Sequence, residues 1–293
     1  MLADIKGTGV ALVTPIKSDG SIDYSSLNNL IKHVSDHGCE YLVVLGTTGE
    51  TATLSKDEKK EVLEFVKANN YKNLPVVYGI GGNNTSELID ELKSTDLSGV
   101  KAILSVSPYY NKPSQEGIFR HYSVLADAAP VPVILYNVPG RTGMNMQAKT
   151  VTRLADHKNI IGVKEASGDL IQCMEIQAGT PDDFVLIAGD DLLAVPMISI
   201  GGVGSIAVLA NLYPRKFSDM IRYSLKGDFK AATELLLQFT GLNPLLYTEG
   251  NPVGAKAALS ILGLIENNVR LPLAPASDGL FAAIKAEVAK IKA

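Results

Sequence analysis

Short runs of apolar residues recur along the chain, at residues 9–14, 41–45, 75–79, 101–106, 133–138, 160–164, 184–188 and 204–208. Most are nearly continuous Val, Ile and Leu rather than alternating, the pattern of strands buried on both faces of a parallel sheet. Between them the period changes. Leu27, Leu30, Ile31 and Val34 repeat at helical spacing, and Gly38 stops that segment. Ser55 and Glu58 form the pattern of a capping box, in which a hydroxyl and a carboxylate satisfy free backbone N–H groups ahead of Val62, Leu63 and Val66. Asn84 and Glu87 mark a similar start before Leu88 and Leu92. Further helices are expected to begin near Ser114, Gln147, Asp169 and Leu192, and Phe217, Met220 and Ile221 mark another.

Eight strand–helix repeats place the chain in the α/β class and predict a (β/α)8 TIM barrel, since parallel strands need right-handed helical crossovers. Eight strands also fit an open doubly wound sheet, so the count alone leaves that alternative standing. After Gly227 the alternation stops, and residues 229–239, 252–264 and 277–291 all read as helices. Asn251-Pro252 looks like a helix start, with an N-cap side chain followed by a proline whose missing N–H costs least there. The expected organisation is a barrel catalytic domain over residues 1–226 and a C-terminal helical extension over 227–293.

Composition narrows the partners. Of 293 residues, 46% are hydrophobic and 20% charged, enough apolar material for a core and too much for a disordered chain. A net charge of −4 without any basic run argues against nucleic acid or anionic lipid. Cys39 and Cys173 have no CxxC spacing and read as buried, reduced thiols of a cytoplasmic protein. His33 and His37 share a helix face, but with no intervening Glu and no third ligand they read as solvated or capping residues, so no metal site is expected. Residues 192–214 are uncharged and long enough to span a bilayer. Pro196, Gly201, Gly202 and Gly204 interrupt them, and a helix, a turn and a buried strand are expected instead of a membrane helix. The first residues contain no apolar segment of a secretory signal.

In barrel enzymes the reacting groups sit at the carboxyl ends of the strands. The second run leads to Gly46-Thr47-Thr48-Gly49-Glu50, the fourth to Pro108-Tyr109-Tyr110-Asn111, the fifth to Tyr136 and Arg141, the sixth to Lys164-Glu165 and the seventh to Gly189-Asp190-Asp191. No Ser/His/Asp set is present, Gly46–Glu50 lacks the Gly-Lys-Ser/Thr of a phosphate loop, and Gly79 to Gly82 lacks the third glycine of a dinucleotide fingerprint. Lys164 is the informative residue. At the mouth of an apolar barrel burial disfavours an ammonium and frees the amine to attack a carbonyl. The competing reading is a lysine that snorkels to solvent or pairs with Glu165. Tyr136, Tyr110 and Thr47 at neighbouring strand ends could relay the protons that imine formation needs, or could be packing and turn residues. Arg141 offers a planar fork for a carboxylate, or a surface salt bridge.

With these residues together the sequence resembles the pyruvate-dependent, Schiff-base class I aldolase family. The resemblance covers essentially the whole chain, from residues 7–15 to residues 270–275. Its specific signals are Gly46-Thr47-Thr48-Gly49-Glu50 and the spacing from Tyr136 to Lys164. The sialic-acid lyases of that family usually have Ser-Thr at Thr47-Thr48 and lack Arg141. The resemblance therefore implies a synthase that condenses pyruvate with L-aspartate 4-semialdehyde, in the diaminopimelate route to lysine, rather than a lyase of sugar acids. It implies Lys164 as the imine-forming lysine and Thr47, Tyr136 and Tyr110 as the proton relay. Thr48 would hold the pyruvate carboxylate, Arg141 the semialdehyde carboxylate, and Gly189 and Ile206 would line the site. No metal or organic cofactor is implied. The partners are the two substrates and further copies of the chain in a homodimer or homotetramer, with Tyr110 reaching into the neighbouring copy. Some relatives are inhibited by lysine at an interface, and the matching positions are Ala52, Lys56, Lys59, Gly81, Asn83, Glu87 and Tyr109. Because Lys56 and Lys59 would repel a cationic effector, weak or absent lysine inhibition is expected. A non-catalytic metabolite-binding barrel would be expected to lack the lysine or a tyrosine, and both are present.

Overall fold

The structure is a computed structural model that describes residues 2–291. Its eight parallel strands are β1 (Gly7–Ala11), β2 (Tyr41–Val44), β3 (Val76–Gly81), β4 (Val100–Val106), β5 (Val133–Asn137), β6 (Ile160–Glu165), β7 (Val185–Ala188) and β8 (Gly204–Ala207). They pair in chain order and close, with β1 bonded to both β2 and β8, so the chain is a (β/α)8 barrel and not an open sheet. Each expected apolar run overlaps one strand.

Alternation along the strands divides the core in two. Tyr41, Val43, Leu104, Ile134, Ile187 and Ile206 fill the barrel interior. Val10, Leu42, Val44, Ile103, Leu135 and Val163 face the surrounding helices. Both faces are dry, which explains why the strands read as continuous rather than alternating apolar runs.

β1 ends before its apolar run does. Leu12 N still donates to Val43 O at 3.0 Å, but Val13 N turns to Asn211 Oδ1 at 3.1 Å, and Asn211 Nδ2 donates to Ala11 O at 2.8 Å. A buried side-chain amide thus takes over from the ladder, and residues 12–14 stay buried without being strand.

The helical signals are satisfied as chemistry. Asp23, Ser55, Asn84, Ser114 and Asp169 each cap a helix with a side-chain oxygen. Both halves of the Ser55–Glu58 box form, at 3.2 and 2.8 Å. His37 ends the helix Tyr24–Asp36, its ring Nδ1 lying 2.7 Å from His33 O. The uncharged stretch after residue 191 breaks into the helix Ala194–Ser199, a glycine turn and β8. No helix among the described residues is long and apolar enough to cross a membrane.

The last part of the chain holds the helices Phe229–Leu236, Leu242–Leu245, Val253–Ile261 and Asp278–Val288. Phe239 packs its ring against Tyr213 and Phe217, at 5.9 and 6.2 Å between centroids, which seats this extension on the helix Pro214–Leu225. One expectation fails here. Asn251 does not cap a helix. Pro252 occupies the N-cap position of Val253–Ile261 with no side-chain cap, because the Asn251 amide is turned toward the barrel.

The barrel floor depends on one missing side chain. Gly9 pairs with Tyr41, and a Cβ at Gly9 would lie 2.2 Å from that ring. Tyr41 is fully buried, so the ring has nowhere to retreat. Gly9→Val is expected to cost at least the roughly 1–3 kcal/mol of core overpacking, read as a lowered urea midpoint with an unchanged slope.

Candidate active site

Parallel pairing decides what meets at the barrel mouth. Tyr136 of β5 is the register partner of Lys164 of β6, and Lys164 is the partner of Ile187 of β7. Register partners in a sheet point to the same face, so lysine and tyrosine both enter the interior. The Lys164 Nζ lies 4.5 Å from the Tyr136 ring centroid, and the lysine is 6% exposed. Gly189, just past β7, leaves room for the lysine chain: a Cβ there would lie 3.1 Å from Lys164 Cε and 2.7 Å from the Ala166 Cβ.

Glu165 is not the partner of Lys164. One residue on along the strand, it faces the opposite side and is held by Asn137 Nδ2 at 2.9 Å, Gln172 Nε2 at 3.0 Å and Ser167 N at 2.7 Å. Among the described residues no carboxylate forms an ion pair with Lys164. This removes the paired-lysine reading and leaves a buried amine facing a cavity of about 440 Å³. That cavity is lined by Thr47, Thr48, Tyr136, Arg141, Lys164, Gly189 and Ile206, which brings together every expected catalytic and substrate-binding residue except Tyr110.

The turn after β2 presents the two threonines. Leu45 takes a positive φ, the tight helix Thr47–Gly49 follows, and Glu50 is again left-handed. Glu50 is buried beneath this turn. Its carboxylate pairs with Lys256, which is completely buried, and also accepts from Arg270 N at 3.0 Å. Burial pulls the Lys256 pKa down, and the Glu50 charge opposes that pull. Lys256 Nζ also donates to Asn268 O at 2.9 Å. Arg270 grips Glu58 with two N–H groups at 2.9 and 2.5 Å and donates to Thr53 O and Gly20 O. The C-terminal extension therefore clasps the threonine turn from below.

Two further contacts complete the wall. Asn251 Nδ2 donates to Thr48 Oγ1 at 3.0 Å, and Arg141 Nη2 donates to Asn251 O at 3.4 Å. Opposite, Asp191 accepts from Val208 N at 3.0 Å and Leu209 N at 2.7 Å, joining the loops that follow β7 and β8. Burial pushes its pKa up to about 7 against the pull of those N–H groups.

Tyr110 stands apart. It has φ 72°, is 88% exposed and does not line the cavity. Of the expected effector positions, Ala52, Lys59, Gly81 and Tyr109 line an adjoining cavity of about 450 Å³, which shares Thr47, Tyr136 and Arg141 with the first. Lys56, Asn83 and Glu87 lie outside that lining, although Asn83 Nδ2 donates to Tyr109 O at 3.2 Å. Asn243, Tyr247, Asn251 and Lys256 belong to the site or its support and carried no sequence signal for it, and Glu50 was legible only as the end of the motif after β2. None ends a strand, and Asn251 carried the signal of a cap.

A model of the dihydrodipicolinate synthetase family matches residues 4–291. The chain belongs to this family. Among its relatives, a 4-hydroxy-tetrahydrodipicolinate synthase of Cytophaga hutchinsonii is 54% identical over 285 residues, covering 97% of this chain and 96% of the relative. Its namesake in Flavobacterium psychrophilum is 51% identical, covering 94% of each. A dihydrodipicolinate synthase of Acinetobacter baumannii, solved in complex with pyruvate, superposes with a TM-score of 0.95 at 36% identity over 98% of both chains. Family membership and a closed barrel with its lysine at the mouth therefore agree.

The buried clasp is open to test. Glu50→Ala leaves the Lys256 ammonium buried without a counter-charge, a loss expected to cost about 3–5 kcal/mol. The double variant Glu50→Leu, Lys256→Met, which removes both charges, should recover most of it, as read by urea unfolding.

Proposed function

We propose that the chain condenses pyruvate with L-aspartate 4-semialdehyde through an imine on Lys164. This is the reaction of 4-hydroxy-tetrahydrodipicolinate synthase, a lyase-class enzyme of the diaminopimelate route to lysine. The observation that carries the reading is the Lys164 amine beside Tyr136, in a cavity that also presents Thr48 and Arg141.

The steps follow from those positions. The Lys164 amine adds to the keto carbon of pyruvate, and loss of water gives an iminium. The pyruvate carboxylate rests on the Thr48 hydroxyl and backbone N–H groups of its turn. Tyr136 and Thr47 carry the protons. The iminium draws electrons from the methyl group, which loses a proton to become an enamine, so these steps need no metal and no organic cofactor. The enamine carbon attacks the aldehyde carbon of the semialdehyde, whose carboxylate is held by Arg141, and the aldehyde oxygen takes up a proton. The substrate amine then adds to the imine carbon and expels the Lys164 amine as the ring closes. We assign Tyr110 to the relay of a neighbouring copy in a homodimer or homotetramer, because its exposed, left-handed position leaves it outside its own cavity.

The adjoining cavity supports a matching reading of regulation. Lys59 lines it, and Lys56 lies one turn earlier on the helix Lys56–Asn69. The Lys59 ammonium in the cavity, with that of Lys56 one turn away outside its lining, would repel a cationic effector. Lysine is expected to inhibit weakly or not at all, and half-inhibition below a millimolar in a steady-state assay would contradict this.

The catalytic assignment is tested by borohydride reduction in the presence of pyruvate, followed by peptide mass mapping. The adduct is expected on Lys164 and absent from Lys164→Ala. An adduct elsewhere would sink the mechanism. Arg141→Ala should still trap pyruvate while losing about 10- to 100-fold in kcat/KM for the semialdehyde, the scale of a lost charged hydrogen bond.

A further inference from the structure

One buried ionisable group beside the cavity has no part in the reaction so far. Asp191 is 1% exposed and stands behind the cavity wall, which its neighbour Asp190 lines instead. Among the described residues no cation forms an ion pair with the Asp191 carboxylate. It rests on backbone N–H groups: Oδ1 accepts from Val208 N at 3.2 Å, and Oδ2 from Val208 N at 3.0 Å and Leu209 N at 2.7 Å. The ionisable groups that bear on it are Asp190 beside it in the chain, Lys164 of β6, and Tyr247 of the C-terminal extension, which burial and the two aspartates keep protonated. A buried carboxylate without a counter-charge is costly, and groups of this kind gather near reacting centres.

Its place is the shortest seam of the barrel. β7 and β8 share two register pairs, Ile187 with Gly204 and Ala188 with Ser205, fewer than any other neighbouring strands. The ladder stops there, yet Ile206 and Val208 beyond it still line the cavity. On the β1 side Ile206 pairs with Gly9, and Val208 O accepts from Asn211 N at 3.0 Å and Nδ2 at 3.1 Å. On the β7 side the Asp191 carboxylate takes the place of the missing ladder by holding Val208 N and Leu209 N. Ile187 of β7 is also the register partner of Lys164, so this seam borders the reacting amine.

The charge of Asp191 decides what it holds and what it favours. Ionised, it offers an acceptor at each oxygen; protonated, one oxygen becomes a donor among N–H groups. Burial and Asp190 oppose the carboxylate, the two N–H groups and Lys164 favour it, and the balance puts its pKa at about 7. The pull between Asp191 and Lys164 is reciprocal. If a cation at Lys164 favours the carboxylate, the carboxylate favours a cation at Lys164 by the same factor. The iminium of the proposed reaction is such a cation. The pyruvate carboxylate that comes with it is assigned to the Thr48 turn after β2, not to this seam. Forming the iminium from a neutral amine and a ketone consumes one proton and expels water. An Asp191 that ionises as the iminium forms releases one proton in return.

Resting on the reaction proposed above, we infer that Asp191 is a positioning residue for Lys164. As a carboxylate it closes the β7–β8 seam and favours the iminium, so that capture of pyruvate and ionisation of Asp191 support each other.

The readout is the pyruvate concentration that half-saturates cyanoborohydride trapping on Lys164. Asp191→Asn keeps the shape and one acceptor and removes the charge. Its half-saturating concentration is expected to rise about tenfold over wild type at about pH 8, where the wild-type carboxylate is ionised, and less than about threefold at about pH 6, where it is protonated and resembles the amide. An equal rise at both pH values would mark a purely structural part and overturn the proposal, as would no rise at either. If Asp191→Asn does not fold, the wild type decides. At slightly acidic pH, isotope-labelled pyruvate, whose own bands are displaced, should remove a carboxylic-acid C=O band from the infrared difference spectrum while a carboxylate band grows. No such exchange would overturn the proposal. A wild type that traps no pyruvate on Lys164 at any pH would instead refute the proposed reaction.

Discussion

Everything at this site follows from strand register. Closing eight parallel strands fixes which residues lie side by side, and here it sets Tyr136 next to Lys164 with both facing inward. A slip of one residue would exchange Lys164 for Glu165 and put a carboxylate where the amine stands. The outward network around Glu165 guards against that slip. Asn137, Gln172 and Ser167 hold the carboxylate on the far side of the same strand, and Asn137 is itself the register partner of Glu165. One pair of adjacent strands thus carries a fixed polar knot on its outer face and a freely extending amine on its inner face.

The second support is remote in sequence. The threonine turn after β2 contains two residues in the left-handed region, Leu45 and Glu50, where neither has the freedom of glycine. Such a conformation persists when its surroundings hold it. Lys256 and Arg270 supply that hold from the C-terminal extension, and Asn251 reaches over the top to Thr48. Because the Glu50–Lys256 pair is buried, its value lies less in net stability than in fixing one arrangement of the turn.

Much of this was legible before any coordinates. The barrel announced itself through continuous apolar runs, since both faces of each strand are dry, and the helix starts through local caps such as Ser55 with Glu58. Lys164, Tyr136 and Arg141 stand out in the sequence because barrel chemistry gathers at strand ends, and the fold brings all three to one cavity. What stayed hidden was what depends on distant partners. The β1 boundary is set by Asn211, some 200 residues away in sequence, whose amide displaces the ladder. Asn251 carried a local signal for capping, yet a contact with Thr48, 203 residues earlier, claims its side chain. Glu50 looked like the end of a motif and turned out to be half of an ion pair. Tyr110 stands in solvent in the single chain, outside the cavity that holds Lys164.

The clasp has a bearing on how such barrels diversify. A tail exchanged between two cousins would bring its own cation into contact with a foreign turn. Unless the recipient already offered the matching acid, the newcomer would arrive with an orphaned charge locked in a dry pocket. Recombination is then restricted to donors that share the acid, and the tail and the turn must be inherited as one unit despite lying at opposite ends of the gene.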